Sequence, residues 1–190
     1  MEPTTGPTVS ARPELVPEEA ASPPHRAAGG RRPALWLSLT ILAFDQITKA
    51  AVRALLPVHA SRTVVPGFLD FTHVQNTGAA FGLLNAAEFP FKAALLALVA
   101  TIALVGIAVY AARLSVHQRV ARLGLSLVLG GAAGNLVDRL AVGYVVDFVD
   151  LYWRGYHFWA FNVADSAITI GVALMLIDML ELGSHASKTV

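Results

Sequence analysis

Two short stretches place acids where hydrocarbon would be expected: Val145–Asp150 reads VVDFVD, and Asn162–Ser166 reads NVADS. A carboxylate among valines and phenylalanines is costly unless a partner pairs with it, a proton neutralises it or a reaction uses it. Two carboxylates that face one another cannot easily both ionise, so one keeps a proton at neutral pH. Such a pair supplies a general base to activate water and a general acid for a leaving group. The competing reading is structural. Asn162 followed three residues later by Asp165 has the form of a capping box, and an acid suits the positive end of a helix dipole. Capping accounts for Asp165 alone; it leaves Asp147 of VVDF without a reason to be there.

Three other stretches carry polar groups in apolar surroundings. In DQITK, Asp45 and Lys49 are four apart and share a helix face, which Arg53 continues. They are either a functional site or a mutual salt bridge locking one helix to its neighbours. In NTGAAFG, Asn76–Gly82, Asn76 is placed either to hydrogen-bond an extended peptide or simply to make a turn. In GGAAGNLVDRL, Gly130–Leu140, the small residues, Gly131 among them, let helices approach closely in lipid. Packing is the favoured role for those glycines. Asp138 and Arg139, following Asn135, read as an interfacial anchor.

Other chemistries find little support. The chain has no cysteine, which excludes disulfides, thiolate metal sites and a cysteine nucleophile. The histidines are scattered without metal-ligand spacing, and no HExxH, GxSxG or serine–lysine pattern stands out. Water activated by carboxylates is the hydrolytic chemistry that remains, with neither metal nor cofactor expected. A formal net charge of +1 gives no argument for nucleic acid.

The elements that must position these acids are membrane spans. The chain is 55% hydrophobic and 14% charged, with a mean hydropathy of +0.59. Four segments meet the length of about 20 predominantly apolar residues that a spanning helix needs: Ala34–Leu56, although DQITK interrupts its middle, Phe91–Ala112, Val120–Leu140 and Val163–Leu182. Residues 1–32, rich in Pro, Gly, Ala and Glu, read as a disordered cytoplasmic tail that is not a cleaved signal peptide. The membrane domain is expected over 33–183, with a short cytoplasmic tail at 184–190. Basic residues gather before the first span (Arg26, Arg31, Arg32) and between the second and third (Arg113–Arg122), which puts both termini in the cytoplasm. The connections Pro57–Phe89 and Ala141–Asn162 then face outward, and GFLDFTHVQ, Gly67–Gln75, suggests short strands in the first. The fold class is therefore an all-α integral membrane protein: four transmembrane helices, a small extracytoplasmic β-rich element and an outward connection between the last two. That topology gathers Asp138, Asp147, Asp150 and Asp165 at the outer interface. A small transporter also suits intramembrane acids, but such sites commonly lie at the midplane between internal repeats. No convincing repeat is present here. A purely structural subunit would need no paired acids.

DQITK, NTGAAFG, GGAAGNLVDRL, VVDF and FNVADSAITIG, in that order over four spans, resemble lipoprotein signal peptidase, the type II signal peptidase of bacterial membranes. The resemblance runs from about Ala34 to Leu182 and leaves out the Pro-rich tail. It implies an aspartic endopeptidase of the cytoplasmic membrane that cuts prolipoproteins before a cysteine bearing diacylglycerol. The partners it implies are those precursors and membrane lipid, with a monomer as the expected state. The catalytic pair it implies is Asp147 and Asp165, with Asp138 in support. Asp45, Lys49, Asn76, Gly131, Asn135, Arg139, Asn162 and Ala164 match positions that shape the family's site or hold it together.

Overall fold

The structure, a computed structural model, describes residues 32–78, 84, 89–114 and 118–186. The expected tail up to residue 31, Ala79–Gly82 of NTGAAFG, Ser115–His117 of the basic connection and the last four residues lie outside them.

Four long helices are joined by two pairs of short strands, one between the first and second helices and one between the third and fourth. Helix α1 is Arg32–Leu55, followed by β1 (Ser61–Val65) and β2 (Leu69–Asn76). Then come α2 (Lys92–Arg113), α3 (Arg119–Val142), β3 (Val145–Trp153), β4 (Tyr156–His157) and α4 (Val163–Ala186). All four helices are long and apolar enough to cross a membrane. At 22 residues α2 is about 33 Å long, matching a hydrocarbon core of about 30 Å. Its charges sit at the two ends, Lys92 and Arg113, and Ala97 is its one buried residue. Leu98, Val99, Ile102 and Val105 point outward, as they would on a helix solvated by lipid.

Helix α3 is the centre of the bundle, packing against α1, α2 and α4. Its small residues make this possible. A Cβ on Gly131 would run into the Ala164 carbonyl oxygen and the Ile168 side chain, and one on Gly134 into the Asp45 carboxylate. The packing role expected for these glycines is what the structure shows. One serves α4 and the other α1.

The two connections meet in one antiparallel sheet of order β1-β2-β3-β4. Strand β2 lies in the stretch expected to be extended. Strand β3 was not expected: VVDFVDLYW reads as part of a connection, yet it pairs with β2, Asn76 opposite Val145 and Val74 opposite Asp147. Its β-branched and aromatic residues suit a half-buried strand, but the partner is some 70 residues away, so local sequence leaves the pairing open. Gly143, at φ 83°, ends α3 in the left-handed conformation, and β3 begins two residues later.

The pleat divides the acids expected at one depth. Side chains alternate faces along a strand, so Asp147 and Asp150, three apart, point to opposite sides. Asp147 is buried among the helices, whereas Asp150 bonds exposed His157 at 2.9 Å. Asp45, not Asp150, is the fourth acid of the cluster.

Candidate active site

The cluster is assembled around the N-terminus of α4. The first amides of a helix lack intrahelical acceptors, and here two acids and an asparagine supply them. Asn162 Oδ1 accepts from the Asp165 backbone N–H at 2.9 Å, and Asp165 Oδ2 accepts from the Asn162 N–H at 3.3 Å. This is the reciprocal capping expected from NVADS. The Ala164 N–H donates to Asp45 Oδ1 at 2.9 Å, so an acid of the first helix caps the last one.

Asp147 reaches the same point from β3. Asn162 Nδ2 donates to its Oδ1 at 2.7 Å and Asn76 Nδ2 to its Oδ2 at 2.9 Å. Asp165 Oδ1 accepts from Asn135 Nδ2 at 2.8 Å. Each carboxylate oxygen thus has one protein donor, which leaves lone pairs free for a water or a substrate proton. Burial pushes the Asp147 carboxyl up to about 7, and the nearby charge of Asp165 adds to the effect; the amides of Asn76 and Asn162 and the charge of Lys49 oppose it. Near neutral pH, Asp147 is therefore able both to hold a proton and to release it.

Beneath the two acids lies a buried ionic group. Lys49 Nζ sits 2.8 Å from Asp45 Oδ2, 3.0 Å from Asp138 Oδ2 and 2.8 Å from Asn135 Oδ1, so its three N–H donors all find acceptors. Lys49 and Asp45 are completely buried. The expected Asp45–Lys49 pair is present but not exclusive. Asp138 also binds Arg53 Nη2 at 2.6 Å and accepts from the Val146 N–H at 3.3 Å, so it fixes the start of β3. Its partners are Lys49 and Arg53 rather than its sequence neighbour Arg139, and it is buried rather than a surface anchor. Arg139 donates to the carbonyls of Asn135 and Gly78 at 3.3 and 3.2 Å.

Apart from Asp150, which pairs with His157 on the other side of β3, the acids and the residues matching the family motifs fall within or against this cluster, Gly131 through the α3–α4 contact and Ala164 also through its N–H to Asp45. Two further participants are Arg53 and Gln46. Arg53, one helical turn beyond Lys49, was visible as the end of a stripe. Gln46, which donates to Asp45 Oδ2 at 3.2 Å and to the Gly134 carbonyl at 3.1 Å, had no signal beyond its place inside an apolar run. Among the described residues no group of three or more His, Cys, Asp or Glu is arranged to hold a metal ion.

Comparison with known proteins converges on one family. The family model for signal peptidase (SPase) II matches residues 37–181. A lipoprotein signal peptidase of Geobacter metallireducens is 43% identical over 147 residues, covering 77% of this chain and 90% of its own. Its counterpart from Pseudomonas putida is 42% identical over 161 residues, covering 83% and 94%. A solved structure of a bacterial membrane enzyme superposes with a TM-score of 0.73 at 32% identity, over 81% of this chain and 91% of that one. The matched span contains the acid cluster and nearly all of the four helices that hold it, so this chain belongs to the signal peptidase II family and is a multi-pass bacterial membrane peptidase.

Proposed function

We propose that this protein removes signal peptides from prolipoproteins by aspartic chemistry, with Asp147 and Asp165 as the pair that handles the protons. The observation that carries this reading is Asn162, whose side chain and backbone hold both acids at once. A cap alone needs only Asp165. A buried Asp147 on the same asparagine, with its carboxyl raised to about 7, has no capping role.

The charge balance supports the same reading. Four carboxylates (Asp45, Asp138, Asp147 and Asp165) surround three cations (Lys49, Arg53 and Arg139). One proton on the Asp147–Asp165 pair makes the cluster neutral, which a low-dielectric site favours. The ionised acid takes a proton from water as the water oxygen attacks the peptide carbonyl carbon, while the protonated acid transfers its proton to the carbonyl oxygen. A neutral diol results. As the C–N bond breaks, the amine nitrogen takes a proton from the pair and one diol hydroxyl returns one, so the pair ends as it began. Asn76, Asn162 and Asn135 keep both carboxyls oriented throughout, and Lys49 offsets the charge beneath them.

The basic residues at the opposite ends of the helices support an orientation with both termini in the cytoplasm and this site at the outer face. A peptide bond is then reached only at that depth. Diacylglycerol on the cysteine after the bond holds it there, since acyl chains partition into hydrocarbon while the glycerol stays at the interface. The decisive experiment follows prolipoprotein processing by the purified protein with a diacylglyceryl-modified precursor and with the same precursor bearing a bare cysteine. The modified one is cut far faster; equal rates in one detergent mixture refute the depth argument.

A further inference from the structure

A second feature lies at the other end of the bundle, about 24 Å along α3 from Asp138 to Arg122. Helices α1 and α2 both pack on α3 and scarcely meet each other. The space between them is a cavity of about 220 Å³, lined by Leu35, Ala108, Ala112, Leu125 and Leu129, with Arg122 in its wall. It is open on one side, where Leu35, Ala108 and Ala112 are exposed.

The lining presents hydrocarbon and one charge. Ser38 Oγ donates to the Ser126 carbonyl at 2.8 Å and Ser126 Oγ to the Arg122 carbonyl at 2.7 Å, so both hydroxyls are already engaged by backbone. The half-buried Arg122 guanidinium has no carboxylate within ion-pair distance among the described residues. Arg113 and Arg119 stand at the same end, at the close of α2 and the start of α3, and are likewise without ion-pair partners there. An apolar cavity of about 150 Å³ already excludes water and admits a small hydrocarbon. This one continues inward from Arg122 to Leu129, about 10 Å along the helix.

We propose that this groove holds one acyl chain of an anionic phospholipid, with its phosphate on Arg122. The charge in the wall at the Arg122 end selects the anionic headgroup, and the leucines and alanines beyond it accept the chain. The acidic stretch Glu14–Glu19 of this chain carries complementary charge too. A peptide laid in a groove open to hydrocarbon would, however, leave backbone N–H and C=O groups unpaired, whereas an acyl chain has none. Nor does the groove suit the positively charged end of a signal peptide, which would meet three arginines. The lipid fills a gap between helices that the side chains leave open, far from the acids.

The test uses the full-length protein, delipidated in detergent and mixed with phosphatidylglycerol or phosphatidylcholine of identical chains, with bound lipid counted by native mass spectrometry. One phosphatidylglycerol is expected per chain, held more tightly than phosphatidylcholine. Arg122→Gln, which breaks no ion pair among the described residues, lowers that preference roughly fivefold. Ala111→Phe fills the groove and weakens both lipids, and Ala108→Phe on the open side serves if the first variant does not fold. Equal binding of the two lipids, or no change in Arg122→Gln, overturns the proposal. So does lipid binding that appears only after Glu14, Glu18 and Glu19 are changed to Gln, because the tail would then be the occupant. Inorganic phosphate displacing the lipid at equal concentration would show an anion site without a chain.

Discussion

Asn162 Nδ2 donates to Asp147 Oδ1 at 2.7 Å, and the same residue exchanges two hydrogen bonds with Asp165. The capping of α4 and the alignment of two acids are therefore one structure. Replacing either acid by its amide tests the chemistry with little change of shape.

Asp147→Asn and Asp165→Asn should each lower prolipoprotein processing by about 10²–10⁴-fold, the usual contribution of a positioned acid or base. An amide at 147 turns an N–H toward Asn76 or Asn162, so a stability cost of about 1 kcal/mol accompanies it. Near-normal turnover with either variant removes that residue from the pair.

The pH dependence follows from Asp147, raised to about 7 chiefly by burial. Activity that needs the shared proton should fall as pH rises through this region, with an apparent value belonging to the pair. The Asn76 amide favours the ionised carboxyl. Asn76→Ala therefore raises Asp147 further and moves the alkaline limb of the rate profile to higher pH, whatever it does to the maximum. A limb that stays in place or moves down contradicts the assignment.

The same shift has a sign for stability. Between the ordinary value of 3.8 and about 7, the folded Asp147 binds more proton than the unfolded one, so stability falls as pH rises across this window. Asp147→Asn should flatten that fall. Melting temperature against pH, wild type beside variant, measures it.

Lys49 and Asp45 separate cleanly. Asp45→Ala leaves Lys49 with Asp138 and Asn135 but strips the Ala164 N–H of its acceptor, at about 1–3 kcal/mol. Lys49→Ala leaves Asp45 without its counter-charge and should cost about 3–5 kcal/mol. The double variant should be more stable than Lys49→Ala alone. Denaturation in detergent that ranks Asp45→Ala below Lys49→Ala would contradict this geometry.

Gly131→Ala drives a methyl into the Ala164 carbonyl, moving α4 and with it Asp165. Overpacking of this kind costs about 1–3 kcal/mol, and processing should fall with stability. Gly106→Ala, which meets nothing within 4 Å, is the control and should leave both unchanged or slightly improve stability. Equal effects of the two substitutions would remove the close α3–α4 contact from the explanation.

What the sequence determined by itself is what repeats locally or follows from composition. Four predominantly apolar runs dictate four helices, because lipid leaves the backbone only a helix or a closed barrel and runs of about 20 residues are too long for barrel strands. Asp45 and Lys49 share a face because the helical period puts them there, and Asn162 caps Asp165 because the motif closes within four residues. Tertiary structure decided what crosses between elements. VVDFVDLYW becomes a strand only where β2 offers it an edge, and the resulting pleat turns Asp147 inward and Asp150 out to His157. Lys49 serves two acids and an asparagine because α1 and α3 cross closely at Gly134. Hydrogen bonds and charges act over a few ångströms, and no spacing along one chain specifies which distant segments will come that near.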